Sequence, residues 1–189
     1  MLKGILQYAH TLLDKSVNKG ETVIDATCGN GHDTLFLSKL VGEEGHVLAF
    51  DIQQQAITNT KKRLEQNKRT NVSLIHDSHA HIEKYIQLEK HGPIGGAIFN
   101  LGYLPRSDKT VITKGDTTVQ AMKAILKVLK KDGLIVAVIY HGHEGGEEEK
   151  NEVLQFTSAL DQKEYKVIKY GFINQKNNPP FIVAIQKLK

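Results

Sequence analysis

Two glycines between acidic residues form a segment that can bind a cofactor. Residues 25–33 read DATCGNGHD, after a short apolar run at 22–26 and before a helical pattern of leucines at 35–40. Gly29 and Gly31 permit a tight turn, in which a ligand can approach the backbone at the carboxyl end of the first strand. Asp51 lies twenty residues after Gly31, at the end of the next predicted strand. A carboxylate at that place can accept hydrogen bonds from both ribose hydroxyls, so the pattern predicts a nucleoside-containing cofactor.

The charge of this turn discriminates between cofactors. The third glycine of a dinucleotide-binding turn would fall at position 34, which is Thr34, and Asp25 and Asp33 flank the turn. Carboxylates there would compete with a pyrophosphate for the N–H groups at the start of the helix. S-adenosylmethionine carries an ammonium and a sulfonium and no phosphate, and it tolerates nearby acids. The sequence therefore predicts S-adenosylmethionine and not NAD.

Two further strand ends carry polar side chains. Asp77 and Ser78 follow the third predicted strand, where an aspartate can accept the adenine amino group; an N-cap of the next helix is the alternative. The fourth strand ends at Asn100, and Tyr103 follows three residues later. An asparagine oxygen can accept an N–H of a target amine, and a tyrosine can stack on a base. Asn100 and Tyr103 are the predicted catalytic residues, with a plain β-turn around a buried tyrosine as the alternative.

The predicted cofactor-binding residues lie at the carboxyl ends of the first four strands. They are Asp25, Thr27, Gly29, Asn30, Gly31, His32, Asp33, Asp51, Ile52, Gln53, Asp77, Ser78, His79 and Asn100. The histidines at 76–81 and 141–143 lack the spacing of metal ligands, so no metal is predicted. Cys28 lies in the turn without an evident base beside it, and a nucleophilic role is not expected.

An alternation of apolar and polar stretches predicts the elements that position these residues. Strands are expected at 22–26, 47–50, 72–75, 95–99, 134–140, 166–173 and 181–187, and helices at 4–15, 35–40, 54–67, 82–88, 118–130 and 147–160. In the third helix, Lys61, Lys62 and Arg63 are expected to face largely outward. Five βα repeats predict a parallel sheet with helices on both faces. The last two strands are too close for a parallel crossover and should form an antiparallel hairpin. One reversed strand in a seven-stranded α/β sheet is the class I methyltransferase arrangement.

Length and composition limit the classes of protein. A chain of 189 residues suits one domain, 1–189, with an N-terminal helix at about 4–17. The hydrophobic content of 40% excludes a disordered chain, and the single cysteine excludes an intrachain disulfide and suits a reducing cytoplasm. The longest apolar run, at 134–140, is too short to span a bilayer, and no secretory signal is expected. A formal net charge of +4 is compatible with binding to RNA but does not by itself indicate it. The sequence neither predicts nor excludes a homodimer.

Four motifs together resemble the YtqB-like family of class I methyltransferases, also known as rRNA methylases. They are DATCGNGHDT at 25–34, FDIQ at 50–53, NLGYLP at 100–105 and YHGHEGG at 140–146. The likeness covers nearly the whole chain. It implies methylation of the amine of 5-aminomethyl-(2-thio)uridine at the tRNA wobble position, U34, to give 5-methylaminomethyl-(2-thio)uridine. Leu101 and Gly102 replace both prolines of the Asn-Pro-Pro-Tyr motif common in amino-group methyltransferases.

The tRNA substrate implied by the resemblance would be bound by the catalytic domain itself, which would contact the anticodon stem-loop. The residues expected to contact it are Tyr103, Arg106, Lys109, Lys114, His141 and His143. Two alternatives remain open: a methyltransferase acting on rRNA or on a small amine, and a non-catalytic RNA partner that binds S-adenosylmethionine.

Overall fold

A computed structural model describes residues 1–102 and 113–189. Within them the strands are β1 (Thr22–Asp25), β2 (His46–Asp51), β3 (Val72–His76), β4 (Ile94–Leu101), β5 (Leu129–Ile139), β6 (Tyr165–Tyr170) and β7 (Phe181–Lys187). The helices are α1 (Ile5–Ser16), α2 (His32–Val41), α3 (Gln54–Gln66), α4 (Leu88–His91), α5 (Gly115–Val128) and α6 (Gly146–Ser158), with a 3₁₀ helix at His79–Lys84. No helix of this part of the chain is both long and apolar enough to cross a membrane.

The strands form one sheet in the order β3-β2-β1-β4-β5-β7-β6. Strands β1 to β5 pair in parallel, whereas β7 is antiparallel to both β5 and β6. The predicted sheet with one reversed strand is therefore confirmed. The strand order changes direction between β1 and β4, and such a switch point opens a crevice at the carboxyl ends of the strands.

Both faces of the sheet are covered, which explains the uninterrupted apolar strands of the sequence. Successive residues of β1 point to opposite faces, so Val23 and Ile24 belong to different cores. Ile24 packs in the same cluster as Met122 of α5, and Val23 packs in the same cluster as Leu13 of α1. The central strands are thus packed on both faces, and this packing fixes the positions of their carboxyl ends relative to one another.

Two predicted elements differ most from the structure. The helix expected at 82–88 is replaced by the 3₁₀ helix and the four-residue α4. The 3₁₀ helix begins earlier than predicted because the hydroxyl of Ser78 caps it, accepting a hydrogen bond from the N–H of Ala80 at 3.2 Å. Strand β5 begins at Leu129 and not at 134, since Leu129 already pairs with Ile94 of β4 before a register shift.

Candidate active site

A cavity of about 1110 Å³ lies at the carboxyl edge of the sheet. Most of the predicted cofactor-binding residues line it: Thr27, Gly29, Asn30, His32, Asp33, Asp51, Ile52, Gln53, Asp77, Ser78, His79 and Asn100. Three predicted substrate-binding residues, Lys114, His141 and His143, also line it. The predicted Tyr103, Arg106 and Lys109 lie outside the described residues. Asp25 and Gly31 are not part of the lining, and they shape the turn from behind.

The turn between β1 and α2 requires glycine at position 31. Gly31 has φ of +78°, and a Cβ there would lie 2.9 Å from Cα and Oγ1 of Thr60 on α3. The same threonine donates its hydroxyl to the carbonyl of Gly29 at 3.1 Å. The close approach of α3 therefore fixes the turn and requires a residue without a side chain.

Arg63 also holds this turn, contrary to the expectation that it faces outward. Its Nε donates to the carbonyl of Asn30 at 2.7 Å, and its Nη2 lies 3.1 Å from Nε2 of His32. Lys61 and Lys62 are exposed as expected. The sequence of α3 does not distinguish Arg63 from the neighbouring lysines. Arg63 contacts the turn only because of the way in which α3 packs against it.

Asp25 lies beneath the turn and is fully buried. Its carboxylate accepts hydrogen bonds from the N–H of Thr27 at 3.2 Å and from the hydroxyl of Thr34 at 2.6 Å. Burial, and then the charge of Asp33, raise the pKa of Asp25 to about 7. The side chain thus joins both ends of the turn without facing the cavity.

Asp51 ends β2 at the edge of the cavity. One carboxylate oxygen accepts from the N–H of Gly29 at 3.0 Å, and the other accepts from the N–H of Gln53 at 2.9 Å. Burial raises the pKa of Asp51, while these backbone hydrogen bonds oppose the rise. An ionised carboxylate has about four acceptor positions, so Asp51 keeps capacity for a ligand.

Asp77 lines the cavity and is held by three donors. It accepts from the N–H of Ser78 at 2.7 Å and from the hydroxyl of Tyr85 at 2.8 Å, and His81 Nδ1 lies 2.8 Å away. The hydrogen bonds from His81 and Tyr85 lower the pKa of Asp77 to about 2. The alternative that Asp77 caps the next helix is not what the structure shows, because Ser78 is the capping residue.

Asn100 is the residue at which β4 reaches the cavity. Its backbone N–H donates to the hydroxyl of Thr27 at 2.7 Å, and its Nδ2 donates to Oδ2 of Asp33. The other oxygen of Asp33 lies 2.6 Å from Nε2 of His10 on α1, whose ring stacks on Phe36. The sequence does not indicate a role for His10, because no spacing in the chain relates α1 to the turn. Burial and the charge of Asp33 raise the pKa of Tyr140, which also lines the cavity.

A buried carboxylate holds the chain on either side of the 103–112 segment. Glu149 is 2% exposed and accepts from the hydroxyls of Thr113 at 2.6 Å and Thr118 at 2.9 Å. Thr113 in turn accepts from the N–H of Gly102 at 3.0 Å. Burial raises the pKa of Glu149. Glu149 lies in the first turn of α6, close to the predicted helix start at 147, and nothing in the run of glutamates there indicates that one of them points into the protein.

The histidines and the cysteine of the site have defined surroundings. His79 is buried, its Nδ1 lies 3.1 Å from the carbonyl of Ala26, and burial lowers its pKa. His141 Nδ1 lies 2.9 Å from Glu147. Burial raises the pKa of Cys28, so its thiol stays protonated at neutral pH. In residues 1–102 and 113–189, no three His, Cys, Asp or Glu residues are grouped to hold a metal ion.

Comparison with known proteins places the chain in a family. The family model described as "Putative rRNA methylase" matches residues 47–186. The chain belongs to this family. A second model, described as "Protein-L-isoaspartate(D-aspartate) O-methyltransferase (PCMT)", matches residues 4–81. The resemblance stated from the four motifs is confirmed.

Relatives of this rRNA methylase family member include a plant enzyme and solved bacterial structures. The "tRNA (mnm(5)s(2)U34)-methyltransferase, chloroplastic" of Arabidopsis thaliana is 37% identical over 194 residues, which cover 98% of this chain and 70% of the relative. A "putative rRNA-methylase" from Clostridium thermocellum is 44% identical with a TM-score of 0.95, and both chains are covered completely. A "putative methyltransferase" from Streptococcus mutans, in complex with SAH, is 44% identical with a TM-score of 0.90 over the whole of both chains. The predicted class I methyltransferase fold is confirmed.

Proposed function

We propose that the protein transfers a methyl group from S-adenosylmethionine to the amine of 5-aminomethyl-(2-thio)uridine at the wobble position of tRNA. The main support for the proposal is that Asp51, Asp77 and Asn100 line the same cavity at the carboxyl edge of the sheet. The substrate rests on the similarity to the Arabidopsis tRNA methyltransferase over nearly the whole chain.

The residues of the cavity fit S-adenosylmethionine. Asp51 offers carboxylate oxygens beside the glycine turn, and Asp77 is ionised at neutral pH because its pKa is about 2. Asp33 adds negative charge, and Lys114 is the only lysine or arginine among the lining residues that the structure describes. Such a lining favours a cationic ligand without phosphate. The bound cofactor would supply an electrophilic methyl group on its sulfonium.

The cofactor-binding residues predicted from the sequence remain proposals, and some of them have a distinct proposed role. Asp51 would accept hydrogen bonds from the ribose hydroxyls and Asp77 from the adenine amino group, while the turn residues Asn30 and His32 line the cavity that would hold the cofactor. Asp25 and Gly31 act indirectly, because they maintain the turn. The full set is Asp25, Thr27, Gly29, Asn30, Gly31, His32, Asp33, Asp51, Ile52, Gln53, Asp77, Ser78, His79 and Asn100.

Asn100 is proposed to orient the amine for attack. Its NH₂ group donates to Asp33, so its carboxamide oxygen is the end left to accept an N–H of the substrate. A fixed acceptor aligns the nitrogen lone pair with the methyl group, and such alignment accounts for a large part of the rate enhancement of enzymes. Tyr103, three residues further on, is proposed to stack on the wobble base.

The partner is proposed to be the anticodon stem-loop of a cytoplasmic tRNA. Lys114 is exposed and lines the same cavity as His141 and His143, where it can contact phosphate. Arg106 and Lys109 are proposed to extend this contact. The formal net charge of +4 is favourable for binding a polyanion.

An rRNA substrate is the second candidate, because the family description names rRNA. Purified protein incubated with methyl-labelled S-adenosylmethionine and with total tRNA, total rRNA or a small-molecule extract, each prepared from cells that lack this protein, separates the candidates. We expect label in tRNA alone. Label in rRNA or in a small amine would favour the second candidate, and binding without any transfer would favour a non-catalytic partner.

The matched control for this assay is Asn100→Ala. It should lower turnover far more than cofactor affinity, because an interaction that orients the nucleophile is strongest in the transition state. Full turnover in a folded Asn100→Ala variant would show that the side chain does not orient the amine.

A further inference from the structure

Three side chains from three elements form a hydrogen-bonded chain that ends in the cavity. His10 Nε2 of α1 lies 2.6 Å from Oδ1 of Asp33 on α2, and Oδ2 of Asp33 accepts from Nδ2 of Asn100 on β4. Asp33 and Asn100 line the cavity, whereas His10 lies behind Asp33. We infer that His10 is a positioning residue that acts through Asp33 to keep the carboxamide oxygen of Asn100 directed at the methyl-accepting amine. The inference rests on the proposed function.

The orientation of the Asn100 carboxamide decides what it does to the substrate. Its two ends have nearly the same shape, and only their hydrogen-bond partners distinguish them. With the oxygen toward the amine, Asn100 accepts an N–H and leaves the nitrogen lone pair available for attack. With the NH₂ toward the amine, Asn100 would donate to that lone pair and block the nucleophile. An ionised carboxylate only accepts, so Asp33 holds the NH₂ end and selects the productive orientation.

Asp33 can select this orientation only while its own carboxylate is held in place. Its side chain is 12% exposed, and it lies in the first turn of α2, where the helix dipole favours an anion. His10 holds the oxygen that faces away from Asn100, so rotation of the carboxylate would break both hydrogen bonds. Among the described residues, Asp33 forms no other side-chain hydrogen bond.

The imidazole of His10 is itself fixed. Its ring stacks on Phe36 with a centroid separation of 3.9 Å and an interplanar angle of 3°. His10 is four residues after Leu6, on the same face of α1, and Leu6 lines the cavity. Helix α1 therefore presents one side chain to the cavity and another to the group that orients Asn100.

Two substitutions separate the hydrogen bond from the packing. His10→Phe keeps an aromatic ring to stack on Phe36 but removes the donor, and His10→Gln restores a donor at similar reach. We expect His10→Phe to lower kcat for tRNA methylation by about tenfold or more, with the dissociation constant of S-adenosylmethionine changed less than about twofold. His10→Gln should recover part of the loss. His91→Phe, at the end of α4, is the matched control and should behave as the unmodified protein.

A second measurement does not depend on activity. The side-chain NH₂ resonances of Asn100, assigned by their absence in Asn100→Ala, should shift in ¹⁵N-labelled His10→Phe and stay in place in His91→Phe. An unchanged kcat, or unchanged Asn100 resonances, in His10→Phe would overturn the inference. A wild-type protein that methylates no tRNA would refute the proposed function, and the Asn100 resonances would still decide whether His10 fixes the carboxamide.

Discussion

Replacing Asp25 with asparagine tests how the cofactor turn is supported from beneath. Asp25 is fully buried and joins Thr27 to Thr34, and its pKa is raised from 3.8 to about 7 by burial and by the charge of Asp33. The folded chain therefore binds this proton more tightly than the unfolded chain. Protonation of the Asp25 carboxyl group therefore adds to the free energy of unfolding. This contribution is fully present below about pH 3.8 and is lost as the pH rises through about 7.

The size of the effect follows from the rise in pKa. At about 1.4 kcal/mol for each tenfold change in proton affinity, the rise corresponds to about 4 kcal/mol. An asparagine resembles the protonated acid: its oxygen can accept from Thr27, and its NH₂ group faces the hydroxyl of Thr34. That hydroxyl must then change its donor role, at a cost of about 1 kcal/mol. Asp25→Asn should therefore be about 1 kcal/mol less stable than the unmodified protein near pH 4 and about 3 kcal/mol more stable at pH 8.

Urea unfolding between pH 4.5 and 8, at fixed ionic strength, measures this difference in the free energy of unfolding. Asp14→Asn, which changes an exposed aspartate of α1, is the matched control and should show no comparable pH dependence. A difference that stays constant with pH, or an Asp25→Asn variant that is less stable at pH 8 than the unmodified protein, would refute the reasoning.

Three further predictions concern the ligands. Asp51→Ala should weaken S-adenosylmethionine binding by about 1.5–3 kcal/mol in calorimetry, as charged hydrogen bonds are lost, and NAD should give no measurable heat; comparable affinity for NAD would contradict the cofactor assignment. Arg63→Ala should weaken the same binding by about 1 kcal/mol because the Asn30 carbonyl loses its donor, whereas the exposed Lys61→Ala should not; equal effects would exclude a role in the turn. Tyr103→Ala should weaken tRNA binding by about 1–3 kcal/mol, whereas Tyr103→Phe should be nearly silent; a strong defect in Tyr103→Phe would contradict simple stacking and implicate the hydroxyl in proton removal.

The sequence predicts those features of the fold and of the site that depend on residues close together in the chain. The carboxyl ends of parallel strands meet at one edge, so Asp51, Asp77 and Asn100 can be brought together from strand positions alone. The reversal of β7 is predictable in the same way, because the connection that precedes it is too short for a parallel crossover.

Contacts between distant elements are not predictable from the same patterns. His10 reaches Asp33 only because α1 packs beside α2, and Arg63 supports the turn only because α3 approaches Gly31. Glu149 looks like any acidic residue of a first helical turn, where such residues are usually exposed. The helix predicted at 82–88 fails for a local reason, since the hydroxyl of Ser78 begins the 3₁₀ helix earlier.

Methylation of tRNA from cells that lack this protein tests the central claim most directly. That tRNA is incubated with the purified protein and S-adenosylmethionine, digested to nucleosides and analysed by mass spectrometry, with unmodified transcribed tRNA as the control. We predict one added methyl group, recovered in the wobble nucleoside as 5-methylaminomethyl-(2-thio)uridine, and none in the transcript, which has no aminomethyl nitrogen. A methyl group at any other tRNA position, or an unchanged wobble nucleoside, would contradict the account.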